Sequence, residues 1–224
     1  MVVTKKYTEP PICKKEILRY AGCKSSEDGF LQSLLEECLE EVLPKLNYKV
    51  CYMELPITIT GELCDFGCMQ IESKDLRKNL LGCEKVLLFA ATIGVEIDRL
   101  ILKYGALSPT KAVMMQAIGA ERIESLCDLF CEELQTSIQT QDEVLRSRFS
   151  PGYGDVSLEI QNEIFQMLNC SKNIGLCLND SLLMSPSKSV TAFVGIGKDE
   201  IASKQKHSHK CLICEKTDCM YRGI

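Results

Sequence analysis

The spacing of apolar residues predicts that the chain begins with helices and continues into short strands. Residues 28–46 carry apolar side chains every three or four positions, which predicts an amphipathic helix, and residues 14–20 predict a shorter one before it. Beyond residue 48 the pattern changes to β-rich stretches at 50–54 and 56–60. A short helix over residues 74–80 follows them.

The middle of the chain is dominated by one long predicted helix. Residues 85–92 form an apolar run that predicts a buried strand, and a short helix follows over residues 95–104, with its end marked by Gly105. Pro109 is preceded by serine, a pair that favours the first turn of a helix. The apolar periodicity then continues to about residue 138, so this segment is predicted to be the central helix of the fold.

The remaining elements complete an α+β prediction. A further helix is predicted over residues 157–168, and the segments 181–184 and 189–196 are predicted to pair as a hairpin. Gly119 on the long helix permits a close approach, which either a crossing helix or a ligand would use. Because helices and strands are interspersed without a regular strand–helix–strand rhythm, we predict a mainly antiparallel twisted sheet with packed helices.

Composition narrows the classes of protein that the chain can represent. The net charge of -5 and the absence of a long basic block argue against nucleic-acid binding. The apolar run at residues 86–93 is far shorter than the roughly 20 residues that span a membrane, and no secretory signal is visible, so we expect a cytoplasmic protein. In that compartment the 14 cysteines are expected to be reduced and mostly packed in the core, including the pairs Cys64–Cys68 and Cys127–Cys131.

The last 27 residues differ from the rest of the chain. Residues 1–197 are expected to form one folded unit, and residues 198–224 a polar, basic tail that is rich in cysteine and histidine. The candidate metal ligands in the tail are Cys211, Cys214, Cys219 and His209, with His207 as an alternative. This spacing suits tetrahedral zinc or an iron–sulfur cluster, and reduced cysteines without a metal are the third interpretation.

One segment, Arg148–Gly154, combines a cation, a preset turn and a phenol. Pro151 followed by Gly152 favours a tight turn that needs positive φ at its third residue, and glycine lets a ligand approach the backbone. Arg148 is suited to binding a carboxylate through two parallel hydrogen bonds. A surface turn with a solvated arginine is the alternative on these grounds.

This segment resembles a motif of the activation domain of cobalamin-dependent methionine synthase. Residues 148–153 match its R-x-x-x-G-Y motif, residues 184–190 match its M-x-P-x-x-S-V motif, and residues 174–178 are similar to its I-G-M-x-L segment. The three matches occur in the order in which the family has them. The resemblance covers residues 85–197 well and implies the fold of that domain.

The resemblance also implies a site for S-adenosylmethionine. Arg148 would hold the carboxylate of the ligand, and Pro151 and Gly152 would bring the backbone close to it. Tyr153 would lie beside the sulfonium, where the methyl group is transferred. An alignment along the long helix places Glu124 opposite the ammonium group of the ligand, although a solvated glutamate is the simpler interpretation.

The implied role is that of a stand-alone accessory to a methyltransferase rather than a complete enzyme. The chain lacks the D-x-H-x-x-G motif, so cobalamin would be carried by a partner, either methionine synthase or a related corrinoid protein. Re-methylation of its cob(II)alamin would also need an electron donor such as flavodoxin or ferredoxin. Two alternatives stay open: a redox adaptor that acts on another corrinoid methyltransferase through the tail, and a non-catalytic interaction protein.

Overall fold

A five-stranded antiparallel sheet forms the centre of the protein. The computed structural model describes residues 1–23, 28–138 and 143–198. The strands of the sheet lie in the order β1 (Val3–Lys6), β2 (Lys49–Pro56), β6 (Cys83–Thr92), β10 (Ser189–Lys198) and β7 (Glu143–Leu145). Strands β6 and β10 are apolar on both faces, because each face of the sheet is covered by a separate layer.

Four helices cover one face of the sheet. The core beneath them, here called the α5 core, contains Leu87, Phe89 and Val194 from the central strands. The helices of this layer are α1 (Lys14–Tyr20), α2 (Gly29–Val42), α4 (Glu96–Leu107) and the 30-residue α5 (Pro109–Ile138), and a 3-10 turn (Leu43–Lys45) follows α2. The apolar stripe of α5 packs on this core, which accounts for the periodicity of its sequence.

Shorter elements cover the opposite face. The second core contains Leu88 and Phe193 from the central strands, and Phe193 stacks on Phe66 with ring centroids 5.4 Å apart. The elements of this layer are α3 (Lys74–Leu80), α6 (Ile160–Leu168), α7 (Cys170–Ile174), a three-stranded sheet of β3 (Thr58–Thr60), β4 (Leu63–Asp65) and β5 (Gln70–Glu72), and the pair β8 (Cys177–Leu178) and β9 (Met184–Ser185). The predicted α+β class, with its antiparallel sheet and long helix, is confirmed.

Three predictions about individual elements are wrong. The chain begins with strand β1, which pairs with β2, and not with a helix. Gly105 does not end the predicted short helix, because α4 continues to Leu107 and stops at Ser108, where the following proline favours an extended backbone. Residues 181–184 and 189–196 do not form a hairpin, because β10 pairs with β6 on one side and β7 on the other. Strand β9 pairs with β8 instead.

Gly119 lies where α5 meets α4 and the segment before β10. A Cβ atom at this position would be 3.0 Å from a side-chain atom of Ile97 and 3.0 Å from two atoms of the Lys188 side chain. Neighbouring side chains of the protein therefore make the close approach that Gly119 permits.

The described cysteines only partly follow the prediction of core packing. Cys64 and Cys127 are buried, Cys131 is partly buried, and Cys68 is exposed beside the turn between β4 and β5, so the prediction is wrong for Cys68. Burial raises the pKa of the Cys64 and Cys127 thiols, which keeps them protonated and inert. Across residues 1–23, 28–138 and 143–198, no helix is long and apolar enough to cross a membrane.

Candidate functional site

The backbone around Arg148 is fixed to the central sheet. The Phe149 N–H donates to the carbonyl of Phe193 at 2.9 Å, and the Phe193 N–H donates to the carbonyl of Phe149 at 2.8 Å. The side chain of Phe149 packs into the second core. Successive side chains of an extended segment point to opposite faces, so Arg148 lies on the other face of the sheet, beside α5.

Two carboxylates from α5 bind the guanidinium of Arg148. Nη2 lies 2.7 Å from Oε2 of Glu124, and Nη1 lies 2.5 Å from Oδ1 of Asp128. The two acids are four residues apart, so they occupy one face of the helix. Burial lowers the pKa of Arg148, but Cys127, Asp128 and Glu124 together raise it above its ordinary value, so the side chain stays charged. Its side chain is 25% exposed, against 45% for Glu124 and 63% for Asp128.

The turn that follows Arg148 has the predicted form. The Tyr153 N–H donates to the Ser150 carbonyl at 3.2 Å, and Gly152, the third residue of this turn, has a φ of 86°. Only glycine adopts that φ without strain, and an added Cβ would also lie 3.2 Å from Cδ1 of Leu158. Pro151 is buried, whereas Tyr153 projects from the turn with 68% of its surface exposed. The phenol is therefore available to a ligand or partner.

Asp155 attaches the end of this loop to the start of α3. Its carboxylate accepts a hydrogen bond from the Ser73 hydroxyl and another from the Lys74 N–H at 2.8 Å. The bond from Ser73, followed by those from the backbone, lowers the pKa of Asp155 despite some desolvation. The loop from Arg148 to Asp155 is thus held by the sheet at one end and by a helix N-terminus at the other.

The end of α1 borders the same cluster. Burial first, and the charge of Glu124 second, raise the pKa of the Tyr20 phenol. The guanidinium of Arg19 lies over the ring of Tyr20, 4.4 Å from its centroid, and also binds Glu16 at 2.6 Å. Sequence reasoning missed Tyr20 and Asp128. The helical spacing from Glu124 points to Asp128, but nothing in the local sequence indicates Tyr20.

Glu121, three residues before Glu124, has a structural role. It is 2% exposed and binds the fully buried Arg122 at 2.6 Å, and its Oε1 accepts a hydrogen bond from the Cys13 N–H at 2.8 Å. Nη1 of Arg122 donates to the carbonyl of Pro10 at 2.7 Å. This buried pair fastens the N-terminal segment to α5, so Glu124 rather than Glu121 is the acid that faces Arg148.

The predicted metal ligands in the tail, Cys211, Cys214, Cys219 and His209, lie outside the described residues, as does His207. Within the described part of the chain, no group of three or more histidine, cysteine or acidic side chains is arranged to hold a metal ion. A metal in the tail therefore stays a prediction.

A solved structure shares the fold of this chain. The chain is similar to a crystal structure of the MetH reactivation domain bound to AdoHcy, with a TM-score of 0.61 and 15% sequence identity. The similarity covers 87% of this chain and 78% of that chain. The fold is thus that of a methionine synthase reactivation domain. A search of curated proteins finds no match.

A family model identifies the chain more closely. The model of the activation domain of vitamin B12 dependent methionine synthase matches residues 76–201, which is more than half of the chain. The matched segment includes α5, Arg148 and the turn at Gly152. The chain belongs to this family.

Proposed function

We propose that this protein binds S-adenosylmethionine at the Arg148 cluster and supports the reductive re-methylation of cob(II)alamin carried by a separate methionine synthase. The observation that carries the proposal is the placement of Arg148 between Glu124 and Asp128 in a member of the activation-domain family. The AdoHcy bound by the similar reactivation domain supports the choice of ligand.

The cluster offers the charges that an α-amino acid group needs. Such a group carries a carboxylate and an ammonium a few ångströms apart, so its site needs a cation and an anion side by side. Arg148 and Glu124 form that pair, and the guanidinium is suited to binding a carboxylate with two parallel bonds. Because the described acids that bind Arg148 are partly exposed, a ligand carboxylate can replace one of them without exposing the core.

Tyr153 is proposed to lie beside the sulfonium of the ligand. The phenol ring is exposed on a turn whose glycine leaves the backbone open. An electron-rich aromatic face attracts a cation, so the ring would favour the sulfonium methyl group and help to orient it. The protein would contribute position and exclusion of water, while cobalt chemistry belongs to the partner.

The proposed reaction balances with three participants. A one-electron donor such as flavodoxin or ferredoxin supplies one electron to cob(II)alamin, and S-adenosylmethionine supplies the methyl group as CH3+. The products are methylcobalamin on the partner and S-adenosylhomocysteine. The partner is methionine synthase or a related corrinoid protein.

Calorimetric titration with S-adenosylmethionine tests the binding step. Arg148→Ala removes a charge-assisted contact worth roughly 1.5–3 kcal/mol, so we expect affinity to fall by about 10- to 100-fold. Arg99→Ala is the control for the loss of an ion-paired arginine, because Arg99 binds Glu96 at 2.5 Å on α4. A folded wild type that does not bind the ligand, with or without a corrinoid partner, would contradict the proposal.

Re-methylation itself is tested with a purified cobalamin-dependent methionine synthase that lacks reactivation activity. We expect recovery of methylcobalamin absorbance only when this protein, S-adenosylmethionine and a one-electron donor are all present. Tyr153→Ala should slow recovery more than Tyr153→Phe, because the aromatic ring and not the hydroxyl faces the cation. Equal recovery without the protein would contradict the accessory role.

A further inference from the structure

The Arg148 cluster carries one more negative charge than amino-acid recognition requires. One guanidinium and one carboxylate are sufficient to bind an α-amino acid group. Here Arg148 is bound by both Glu124 and Asp128, so the three side chains together have a net charge of −1. Nearby, Glu16 and Arg19 form an ion pair of their own and cancel each other. The additional carboxylate is that of Asp128.

This extra charge separates two ligands that are otherwise almost identical. S-adenosylmethionine has a sulfonium and therefore a net charge of +1, whereas S-adenosylhomocysteine has a neutral thioether and a net charge of zero. Hydrogen bonds to the shared amino-acid and nucleoside groups do not distinguish the two ligands. An uncompensated negative charge in the site attracts the ligand of net charge +1 more strongly than the neutral ligand.

We infer that Asp128 is a specificity residue that favours binding of the methyl donor over its demethylated product. The inference rests on the proposed function, because it concerns the ligand of the same site. Its consequence is that the neutral product leaves more readily than the cationic donor. The site can then be reloaded while S-adenosylhomocysteine is still present.

The exposure of Asp128 limits the size of the effect. Its side chain is 63% exposed, so water screens its charge, and such exposed charges are worth roughly 0.2–1 kcal/mol. The expected contribution to the ratio of the two affinities is therefore about 1.4- to 5-fold. It should be larger at about 10 mM ionic strength, where the Debye length is about 30 Å, than at about 150 mM, where it is about 8 Å.

A purely structural role of Asp128 makes a different prediction. If Asp128 only held Arg148 in place, its removal would change the affinity for both ligands by the same factor. The ratio of the two dissociation constants and its dependence on salt would then stay as in the wild type. The ratio is therefore the informative quantity.

The test is calorimetric titration of both ligands into the full chain at the two ionic strengths, with Asp128→Asn. Glu132→Gln is the matched control, since it removes an exposed carboxylate one turn further along α5. We expect Asp128→Asn to lower the preference for S-adenosylmethionine about 1.4- to 5-fold at low salt and to weaken its salt dependence, and Glu132→Gln to leave both unchanged.

Two results would overturn the inference while leaving the proposed function intact. The first is an unchanged ratio in Asp128→Asn with S-adenosylmethionine still bound. The second is an equal fall of the ratio in Glu132→Gln, which would mean that net charge anywhere on α5 is responsible. Absence of binding of either ligand to the wild type would overturn the proposed function and the inference together.

Discussion

The substitution Glu121→Gln is predicted to destabilise the protein by about 3 kcal/mol. It leaves the size of the side chain and its hydrogen-bonding oxygen almost unchanged and removes only the charge. The partner, Arg122, has a fully buried side chain, and that of Glu121 is 3% exposed. The buried guanidinium would then have no negatively charged partner. It would keep the backbone carbonyls of Pro10 and Pro11 and gain a neutral amide beside it.

The magnitude follows from the cost of an uncompensated buried charge. Removal of one partner of a buried ion pair typically costs roughly 3–5 kcal/mol, and the retained oxygen of glutamine places this case at the lower end. At roughly 2–4 °C per kcal/mol for a chain of this size, the melting temperature should fall by about 10 °C. The Cys13 N–H, which donates to Glu121 at 2.8 Å, should also exchange faster with solvent.

Urea unfolding followed by circular dichroism measures the free energy of unfolding. Glu36→Gln is the control, because Glu36 binds Lys14 at 2.5 Å between two helices but both side chains are about half exposed. That change should cost less than about 1 kcal/mol. The double variant Glu121→Gln, Arg122→Met should recover part of the loss, since no charge is left unpaired. A loss in Glu121→Gln no greater than that in the control would refute the reasoning.

Two further predictions concern packing and pH. Gly119→Val should lower the free energy of unfolding by about 1–3 kcal/mol, because the first added carbon would lie only 3.0 Å from Ile97. Ala120→Val is the control in the same urea assay. A smaller loss of stability in Gly119→Val than in this control would contradict the prediction. Asp155→Asn should lower the melting temperature at pH 7, because the folded state depresses the pKa of Asp155 below its ordinary 3.8. The stabilising effect of the Asp155 carboxylate is present above pH 3.8 and disappears as the pH falls through the depressed pKa. The melting temperatures of the wild type and Asp155→Asn should therefore converge in acid. A difference between them that does not change with pH would contradict the role given to Asp155.

Elements with strong local patterns could be predicted from the sequence, and long-range pairings could not. The apolar run of β6 and the periodicity of α5 arise from burial, and both elements occur where the pattern places them. The pairing of β6 with β10 joins residues as distant as Gly197 and Cys83. Its register depends on side chains from both cores, and the proximity of two segments in sequence favoured the wrong hairpin. Strand β1 was missed because its residues are exposed and lack alternation.

In the candidate site too, local features could be predicted from the sequence and long-range contacts could not. The turn at Gly152 follows from local backbone preferences, and its positive φ is confirmed. Only the resemblance to a family indicated that Glu124 and Arg148 belong to one site, because they lie on different elements of the chain. Their direct ion pair was not predicted. The ligand-binding roles of Glu124, Arg148 and Tyr153 stay predictions.

The arrangement around Arg148 separates the parts that must stay fixed from those that can exchange. The backbone at Phe149 is bound to β10 by two hydrogen bonds, and Asp155 is bound to the first turn of α3. Neither attachment involves the guanidinium, whose described partners are two partly exposed carboxylates on α5. Rearrangement of these ion pairs on ligand binding would therefore leave the sheet undisturbed. Since the scaffold is already ordered, the ligand does not have to supply the cost of folding the loop, and binding should move side chains far more than backbone.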